Sequence, residues 1–163
     1  MPGSDHMKNP YFEYSAVDLA KRRGFTTITP MSNLEIRDDN CFCCGKDNEK
    51  GLHLQYTYPE DGKSRTTLTI PAYFSGWSNI THGGFLSMLL DETMAHACRG
   101  RAEMAVTAEM TVRYKKPVHT GEEVTLEGEV VSARSRIVET VARVILPDGE
   151  TAVEGRAKFI LQR

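Results

Sequence analysis

Neither sign of charge dominates this chain, and it contains no long apolar run. It has 20 lysines and arginines against 22 aspartates and glutamates, for a net charge of −2. That balance gives no electrostatic reason to expect a nucleic acid or an anionic membrane as a partner. No apolar run approaches the roughly 20 residues that span a bilayer, and no apolar signal segment lies near the start. We therefore expect a soluble, cytoplasmic protein that binds neither nucleic acid nor membrane.

The sequence also lacks a disulfide framework. Its four cysteines are Cys41, Cys43, Cys44 and Cys98, and crowding three of them into four positions suits a reduced protein better than a cross-linked one. Cys41 and Cys44 have the C-x-x-C spacing of half a zinc site. The other half is not evident, because Cys98 stands alone and His53 has no partner at ligand spacing. A buried turn is therefore the favoured interpretation, and no metal is predicted.

The chain divides into a short leader, an N-terminal helix with a loop, and one main domain. Residues 1–6 have the character of a cloning remnant, residues 7–40 contain a predicted amphipathic helix at Tyr14–Arg23, and residues 41–163 form the domain. Alternation of apolar and polar residues predicts strands. The predicted strands are 52–58, 64–70, 104–116, 124–131, 137–146 and 151–161.

One long helix is predicted at residues 82–98, where apolar residues recur at helical spacing. Antiparallel strands must have their apolar face covered, and no other element is long and apolar enough to cover them. The predicted fold is therefore α+β, a curled antiparallel sheet wrapped around one central helix. In the strand at 104–116, the alternation predicts one continuous face that contains Met104, Val106, Ala108, Met110, Val112 and Tyr114.

The start of this helix has the character of an anion site. His82 is followed by Gly83 and Gly84, and a helix N-terminus exposes unpaired N–H groups with a partial positive charge. Glycines let a ligand approach that backbone closely, so the turn can stabilise an oxyanion. The alternative is that both glycines only permit a tight turn.

Asp91 lies in the middle of the helix, directly after three apolar residues. A carboxylate in such a place is partly desolvated, which raises its pKa and makes it a better base near neutral pH. The alternative is that Asp91 and Glu92 only form the polar face. Gly83 and Asp91 are about 12 Å apart along a helix, whereas a reacting carbonyl must touch both an oxyanion donor and the attacking group. An acyl-transfer site therefore requires two antiparallel copies of the helix, in a two-fold dimer.

Two motifs resemble a known family. The run GWSNITHGGFLSMLLDE at residues 76–92 resembles the signature of the PaaI-like hotdog-fold thioesterases, in which His-Gly-Gly opens the central helix and an acid follows nine positions after the histidine. The run VTAEMTVRYKKP at residues 106–117 resembles the next strand of that family, and residues 41–54 resemble its first strand. The resemblance covers about 41–161.

This resemblance implies roles for four residues. Asp91 would act as general base or as nucleophile, the Gly83 amide would hold the thioester oxygen, and His82 would shape the turn. Thr107 matches a hydroxyl residue that orients water in the mitochondrial-type acyl-CoA thioesterase branch. Some relatives have an amide side chain where this chain has Gly76, which favours the branch that uses threonine.

The resemblance also implies a substrate and an assembly. The substrate would be an acyl-CoA, with no further cofactor, and the assembly would be a homodimer or a dimer of dimers. Residues expected to bind the substrate are Gly84, Asn79, Trp77, Arg113, Lys115 and Lys116. Arg99 and Arg101 are further candidates for the phosphates of coenzyme A, although cations at a strand end or a helix C-terminus are also simply favourable there.

Two other functions fit the same motifs. Hotdog hydratases pair an aspartate with a histidine, as Asp91 and His96 would, but five helical positions turn the two side chains about 140° apart. We therefore expect His96 and His119 to be surface or helix-end residues. A non-catalytic acyl-CoA-binding protein is the other alternative.

Overall fold

The computed structural model describes residues 39–99, 101 and 104–162. The predicted helix at Tyr14–Arg23 and the leader lie outside these ranges. The described residues contain one α-helix, α1 (Gly83–Ala97), and a 3-10 turn at Ala72–Phe74. The strands are β1 (Lys63–Thr69), β2 (Ser75–Trp77), β3 (Ile80–Thr81), β4 (Met104–Tyr114), β5 (Glu123–Arg134), β6 (Ile137–Ile145) and β7 (Thr151–Gln162).

Five of these strands form one antiparallel sheet in the order β1-β5-β6-β7-β4. Helix α1 contacts all five strands, and it buries Leu86, Leu89, Leu90 and Met94 almost completely. The predicted architecture, one antiparallel sheet packed on one long helix, is therefore confirmed. No helix in the described ranges is long and apolar enough to cross a membrane.

Glycines in the sheet let the helix pack closely against it. A Cβ added at Gly155 of β7 would lie 3.3 Å from Leu90 Cδ1, and one at Gly128 of β5 would lie 2.7 Å from the Thr93 carbonyl oxygen. Because a real Cβ does not come as close as 2.7 Å to such an atom, the α1–β5 spacing requires glycine at position 128. The close approach fixes where the helix, and so its polar residues, sit above the sheet.

Strand β4 differs from its predicted pattern. Its register with β7 shifts between Thr107 and Glu109, so Ala108 is an extra residue in the ladder, which is a β-bulge. A bulge reverses the alternation, because one added residue moves the following side chains to the opposite face. Ala105 packs on the core before the bulge and Met110 after it. The prediction of one continuous face was therefore wrong. Met104, Val106 and Ala108 are exposed, whereas Met110 and Val112 pack on the core and Tyr114 contacts the start of α1.

Residues 52–58 do not form the continuous strand that was predicted. Burial alternates as expected, with Leu54 and Tyr56 buried, but the segment pairs with the sheet through a single bridge, Thr57 to Arg65. His53 has a φ of 51°, which a continuous strand does not allow. The segment is instead tied to the cysteine turn, because Leu52 N donates to Phe42 O and Leu54 N to Cys43 O.

Residues 73–81, for which no strand was predicted, contain a small hairpin of β2 and β3. Its turn residues, Ser78 and Asn79, have φ values of 45° and 57°. Thr81 N donates to Val118 O and His82 N to Phe74 O. These bonds anchor the chain immediately before α1 and set the position of the helix start.

Candidate active site

The N-terminus of α1 is capped by His82. Its Nδ1 accepts a hydrogen bond of 3.0 Å from the Gly84 N–H, while Phe85 N and Leu86 N donate to His82 O. The first four N–H groups of a helix need acceptors from outside its regular hydrogen bonds. Here His82 accepts from three of them, and the fourth, that of Gly83, has no acceptor among the described residues. The predicted oxyanion donor is therefore available, whereas the predicted contact residue Gly84 has its N–H occupied by His82.

Tyr114 packs on this turn, and the sequence prediction did not identify its role. Its hydroxyl donates to Gly83 O at 2.8 Å and lies 2.6 Å from Ser87 Oγ. A Cβ added at Gly83 would lie 3.3 Å from the Tyr114 ring. Tyr114 and Ser87 therefore hold the first turn of α1 through the Gly83 carbonyl, and neither accepts a hydrogen bond from the Gly83 amide.

A cleft of about 290 Å³ opens beside this turn. It is lined by Ile80, Thr81, Gly83, Leu86, Tyr114, Lys115, Lys116, Pro117 and Val118. The Thr81 hydroxyl is buried and has no hydrogen-bond partner among the described residues. The walls are mainly apolar and include the two lysines. Such a cleft can accept a chain that is apolar along its length and anionic at one end.

The two lysines of the cleft each have an acidic partner. Lys115 pairs with Glu154 at 2.5 Å, and Lys116 pairs with Glu150. Lys116 and Glu150 are both exposed, so a phosphate group could replace Glu150 at little cost, since exposed ion pairs contribute little. Lys115 is exposed as well, but its partner Glu154 is half-buried.

Asp91 and Thr107 form the second polar group. The Thr107 hydroxyl donates to Asp91 Oδ1 at 2.6 Å, and both residues are half-buried. The bulge at Ala108 produces this contact, because Thr107 stands on the helix side of β4 just before the register shifts. The other carboxylate oxygen, Oδ2, has no partner among the described residues. It can therefore accept a proton or a water molecule.

Burial raises the pKa of Asp91, the Thr107 hydrogen bond opposes that rise, and the negative charge of Glu92 adds to it. The net direction is upward. A carboxyl group whose pKa is raised toward neutrality is a stronger base when ionised. This fits the environment predicted for Asp91 from the apolar residues before it.

The two groups lie apart on one chain. Gly83 begins α1 and Asp91 lies eight residues further along, about 12 Å along the helix axis. Asp91 is not among the residues that line the cleft. One chain therefore contains two partial sites, an oxyanion donor with a cleft and a carboxylate with its hydroxyl partner.

Several predicted residues stand outside both groups. Trp77 is 81% exposed, Asn79 accepts from Thr120 through its main-chain oxygen, and Arg113 is exposed on β4 without lining the cleft. Arg101 is bonded to Asp61 at 3.2 Å with only 3% of its side chain exposed, so it cannot meet a phosphate without leaving that partner. Arg99 lies over the Tyr58 ring, 4.4 Å from its centroid.

The histidine prediction is confirmed. His96 does not pair with Asp91 and lies in the last turn of α1, as a helix-end residue, although it is largely buried there. Its Nε2 lies 3.1 Å from Glu92 Oε1, its Nδ1 lies 2.8 Å from Tyr58 Oη, and its side chain is 14% exposed. His119 is exposed, as expected.

The fold is that of the hotdog proteins, as three solved structures show. A thioesterase superfamily protein is 26% identical with a TM-score of 0.67, covering 72% of this chain and 61% of that one. The Escherichia coli PaaI protein of the phenylacetic acid degradation operon is 21% identical with a TM-score of 0.64, covering 69% and 81%. A Streptococcus mutans protein bound to acetyl CoA is 16% identical with a TM-score of 0.63, covering 67% and 88%.

The sequence supports the same assignment. The family model of the thioesterase superfamily matches residues 78–153, which run from the turn before α1 into β7. No curated protein matches the chain significantly, and the chain spans less than two thirds of the first structure above. The predicted resemblance to the PaaI-like hotdog thioesterases is therefore confirmed.

Proposed function

We propose that this protein hydrolyses an acyl-CoA thioester to a free acid and coenzyme A. The observation that carries the proposal is the hydrogen bond between Asp91 on α1 and Thr107 on β4. At the start of the same helix, the Gly83 amide has no acceptor among the described residues. The match of residues 78–153 to the family model of the thioesterase superfamily supports the reaction class. A structural neighbour bound to acetyl CoA supports the substrate class.

The complete site, in this proposal, forms between two copies of the chain. A thioester carbonyl must lie about 3 Å from both an oxyanion donor and the attacking water. Gly83 and Asp91 of one chain are too far apart to meet this condition. An antiparallel pair of α1 helices places Gly83 of one copy beside Asp91 of the other, and two-fold symmetry then generates two equal sites.

The chemistry follows from these groups. Asp91 accepts a proton from water as the water oxygen bonds to the thioester carbon, and the Thr107 hydroxyl orients the carboxylate and the water. The carbonyl oxygen gains negative charge, which the Gly83 amide stabilises. The tetrahedral intermediate then expels the coenzyme A sulfur, the carbon–sulfur bond breaks, and the proton passes from Asp91 to the thiolate. Asp91 acting as a nucleophile is the other route to the same products.

The cleft beside Gly83 is the proposed channel for the substrate. Its apolar walls would contact the pantetheine or acyl chain, and Lys115 and Lys116 would attract the phosphates of coenzyme A. Trp77 and Asn79 on the neighbouring hairpin are exposed and could contact the substrate from outside. The reaction is a hydrolysis and is expected to need no added cofactor.

The test is the Asp91→Asn variant, assayed for free thiol release over a panel of acyl-CoA esters. Asparagine keeps the size of the side chain but cannot take the proton, so turnover should fall roughly 10²–10⁴-fold. Asp47→Asn is the matched control, because Asp47 lies on an exposed turn and should keep full activity. Unchanged hydrolysis in Asp91→Asn, with every ester tested, would reject the proposal.

The same panel separates the alternatives. A hydratase would add water to an enoyl-CoA without releasing thiol. The position of His96, bonded to Glu92 and Tyr58 instead of Asp91, argues against that reaction. A non-catalytic binder would show heat of binding in calorimetry with no thiol release by the wild-type protein.

A further inference from the structure

The three clustered cysteines form a tight turn against the side of α1. Gly45 N donates to Cys41 O at 2.9 Å, and a Cβ added at Gly45 would lie 2.4 Å from the Cys41 nitrogen. Only glycine fits so close an approach, so the turn folds Cys41 and Cys44 to the same side. Cys43 points away into the core and is 6% exposed.

A third ligand comes from the helix. The sulfurs of Cys41 and Cys44 and a carboxylate oxygen of Glu92 all lie within 4.8 Å of one another, and Cys41 Sγ lies 3.8 Å from Glu92 Oε1. In a tetrahedral zinc site with Zn–S distances near 2.3 Å, two thiolate sulfurs lie roughly 3.8 Å apart. A small inward movement of these side chains therefore suffices to reach ligand geometry.

The Glu92 carboxylate is oriented by a hydrogen bond to His96. His96 Nε2 lies 3.1 Å from Glu92 Oε1, and Tyr58 Oη lies 2.8 Å from His96 Nδ1. Nδ1 can accept from the tyrosine hydroxyl, which leaves Nε2–H to donate to Glu92. Tyr56 stacks on the His96 ring at a centroid distance of 3.9 Å. Metal-bound carboxylates are commonly hydrogen-bonded in this way, and such partners set the ligand's orientation.

We propose that Cys41, Cys44 and Glu92 bind one divalent transition-metal ion, with Zn²⁺ as the preferred class, in a site separate from the Asp91–Thr107 pair. Thiolates select soft or borderline metals, and the third, carboxylate, ligand favours Zn²⁺ over Cu⁺. The fourth position of a tetrahedral ion is then open to water. The ion fastens the turn at residues 41–45 to α1, a stabilising contact distinct from the proposed hydrolysis.

A disulfide between Cys41 and Cys44 is the competing explanation, and it gives no role to Glu92. A disulfide uses only the two sulfurs, whereas a carboxylate oxygen of Glu92 lies within 4.8 Å of both of them and is hydrogen-bonded to His96, which is bonded in turn to Tyr58. The third ligand therefore separates the two explanations and is the residue to test.

The experiment is a Co²⁺ titration of the full chain under a non-thiol reductant, with Zn²⁺ competition. The wild-type protein should develop a thiolate-to-cobalt charge-transfer band that saturates at one ion per chain and disappears on addition of Zn²⁺. Cys41→Ser, Cys44→Ser and Glu92→Gln should each weaken binding more than the roughly 10–100-fold that loss of an outer hydrogen-bonding partner costs. His96→Asn should weaken it within that range.

Cys43→Ala and Cys98→Ala are the matched controls, because they remove thiols outside the cluster and should keep the band. Circular dichroism of each variant checks that the fold is retained, and Zn²⁺ should raise the melting temperature of the wild type and not of Glu92→Gln. Absence of the band in the wild type overturns the site. Unchanged affinity in Glu92→Gln overturns the assigned ligand set.

Discussion

Two polar groups at the start of helix α1 lack hydrogen-bond partners within the described part of the chain, whereas the polar groups past its middle are paired with one another. At the start, the Gly83 amide and the Thr81 hydroxyl have no partners among the described residues, and both line a cleft. Past the middle, the polar groups satisfy each other: Ser64 Oγ donates to Thr93 O at 2.6 Å, and the Thr93 hydroxyl donates to Leu89 O at 2.7 Å. Since buried polar groups are normally paired, the unpaired ones at the helix start indicate where a ligand is expected.

Asp91 lies between these two regions and shares features of both. One of its oxygens accepts a hydrogen bond from Thr107, as in the closed region. The other has no partner among the described residues, as at the open end. The comparison therefore predicts that changes at the helix start and at Asp91 reduce turnover, while changes in the closed region reduce stability.

Gly83→Pro should give the largest effect at the open end. Proline removes the amide hydrogen and is well accepted at the first position of a helix. His82 has a ψ of 130°, the extended conformation that a following proline requires. Loss of one oxyanion donor should lower kcat roughly 10²–10³-fold, measured as thiol release.

Gly83→Ala is the control for that change. Alanine keeps the amide hydrogen and places its Cβ at the same tight contact with Tyr114, 3.3 Å from the ring. It should therefore keep most of the turnover. An equal loss in both variants would assign the effect to crowding and not to the amide.

Thr107→Val should have a smaller effect. It removes a hydrogen bond to a charged group, worth about 1.5–3 kcal/mol, so kcat/KM should fall roughly tenfold or more at neutral pH. The Thr107 bond lowers the pKa of Asp91, and its loss therefore raises that pKa. Because the ionised carboxylate acts as the base, the acid limb of the pH–rate profile should move to higher pH. Thr107→Ser keeps the hydroxyl and should leave the limb in place, and identical profiles for Val and Ser would contradict this role.

Tyr56→Phe should show the smallest effect, and on stability alone. Thr93 donates to Leu89, so the Tyr56 hydroxyl donates to Thr93 Oγ1 across 3.0 Å in the core. Its loss should lower the free energy of unfolding by about 0.5–1.5 kcal/mol, measured by denaturant titration. Turnover of the folded protein should not change. A fall in kcat would show that the closed region is part of the site after all.

The sequence predicted the layers of the fold, because periodicity reports which side of an element is buried. The helix at residues 82–98 and the return strand at residues 64–70 were each found within one residue of their predicted ends. The bulge at Ala108 could not be predicted, because alternating residues look the same on either side of an inserted position. The bulge sets which residues of β4 face the helix, and Thr107 is among them. Before the structure was known, a role for Thr107 beside Asp91 rested on the family resemblance alone.

The sequence also did not predict contacts between segments that are far apart along the chain. Glu92 stands 51 residues after Cys41, and neither position indicates the other in the sequence. The C-x-x-C pair was therefore interpreted as a buried turn with no metal, and only the fold shows that a carboxylate lies beside the two sulfurs. The role of Tyr114 was missed for a similar reason. In the sequence it is one more residue on the apolar face of its strand, and its contact with Gly83 depends on how β4 ends beside α1.

The most direct test of a site shared between two chains is complementation of Asp91→Asn by Gly83→Pro. In a mixed dimer, one site carries both changes, and the other combines an intact Gly83 from one copy with an intact Asp91 from its partner. Co-expression of the two inactive variants, with random pairing in a two-fold dimer, should restore about a quarter of the wild-type rate. A mixture no more active than its separate components, although mixed dimers have formed, would contradict the shared site.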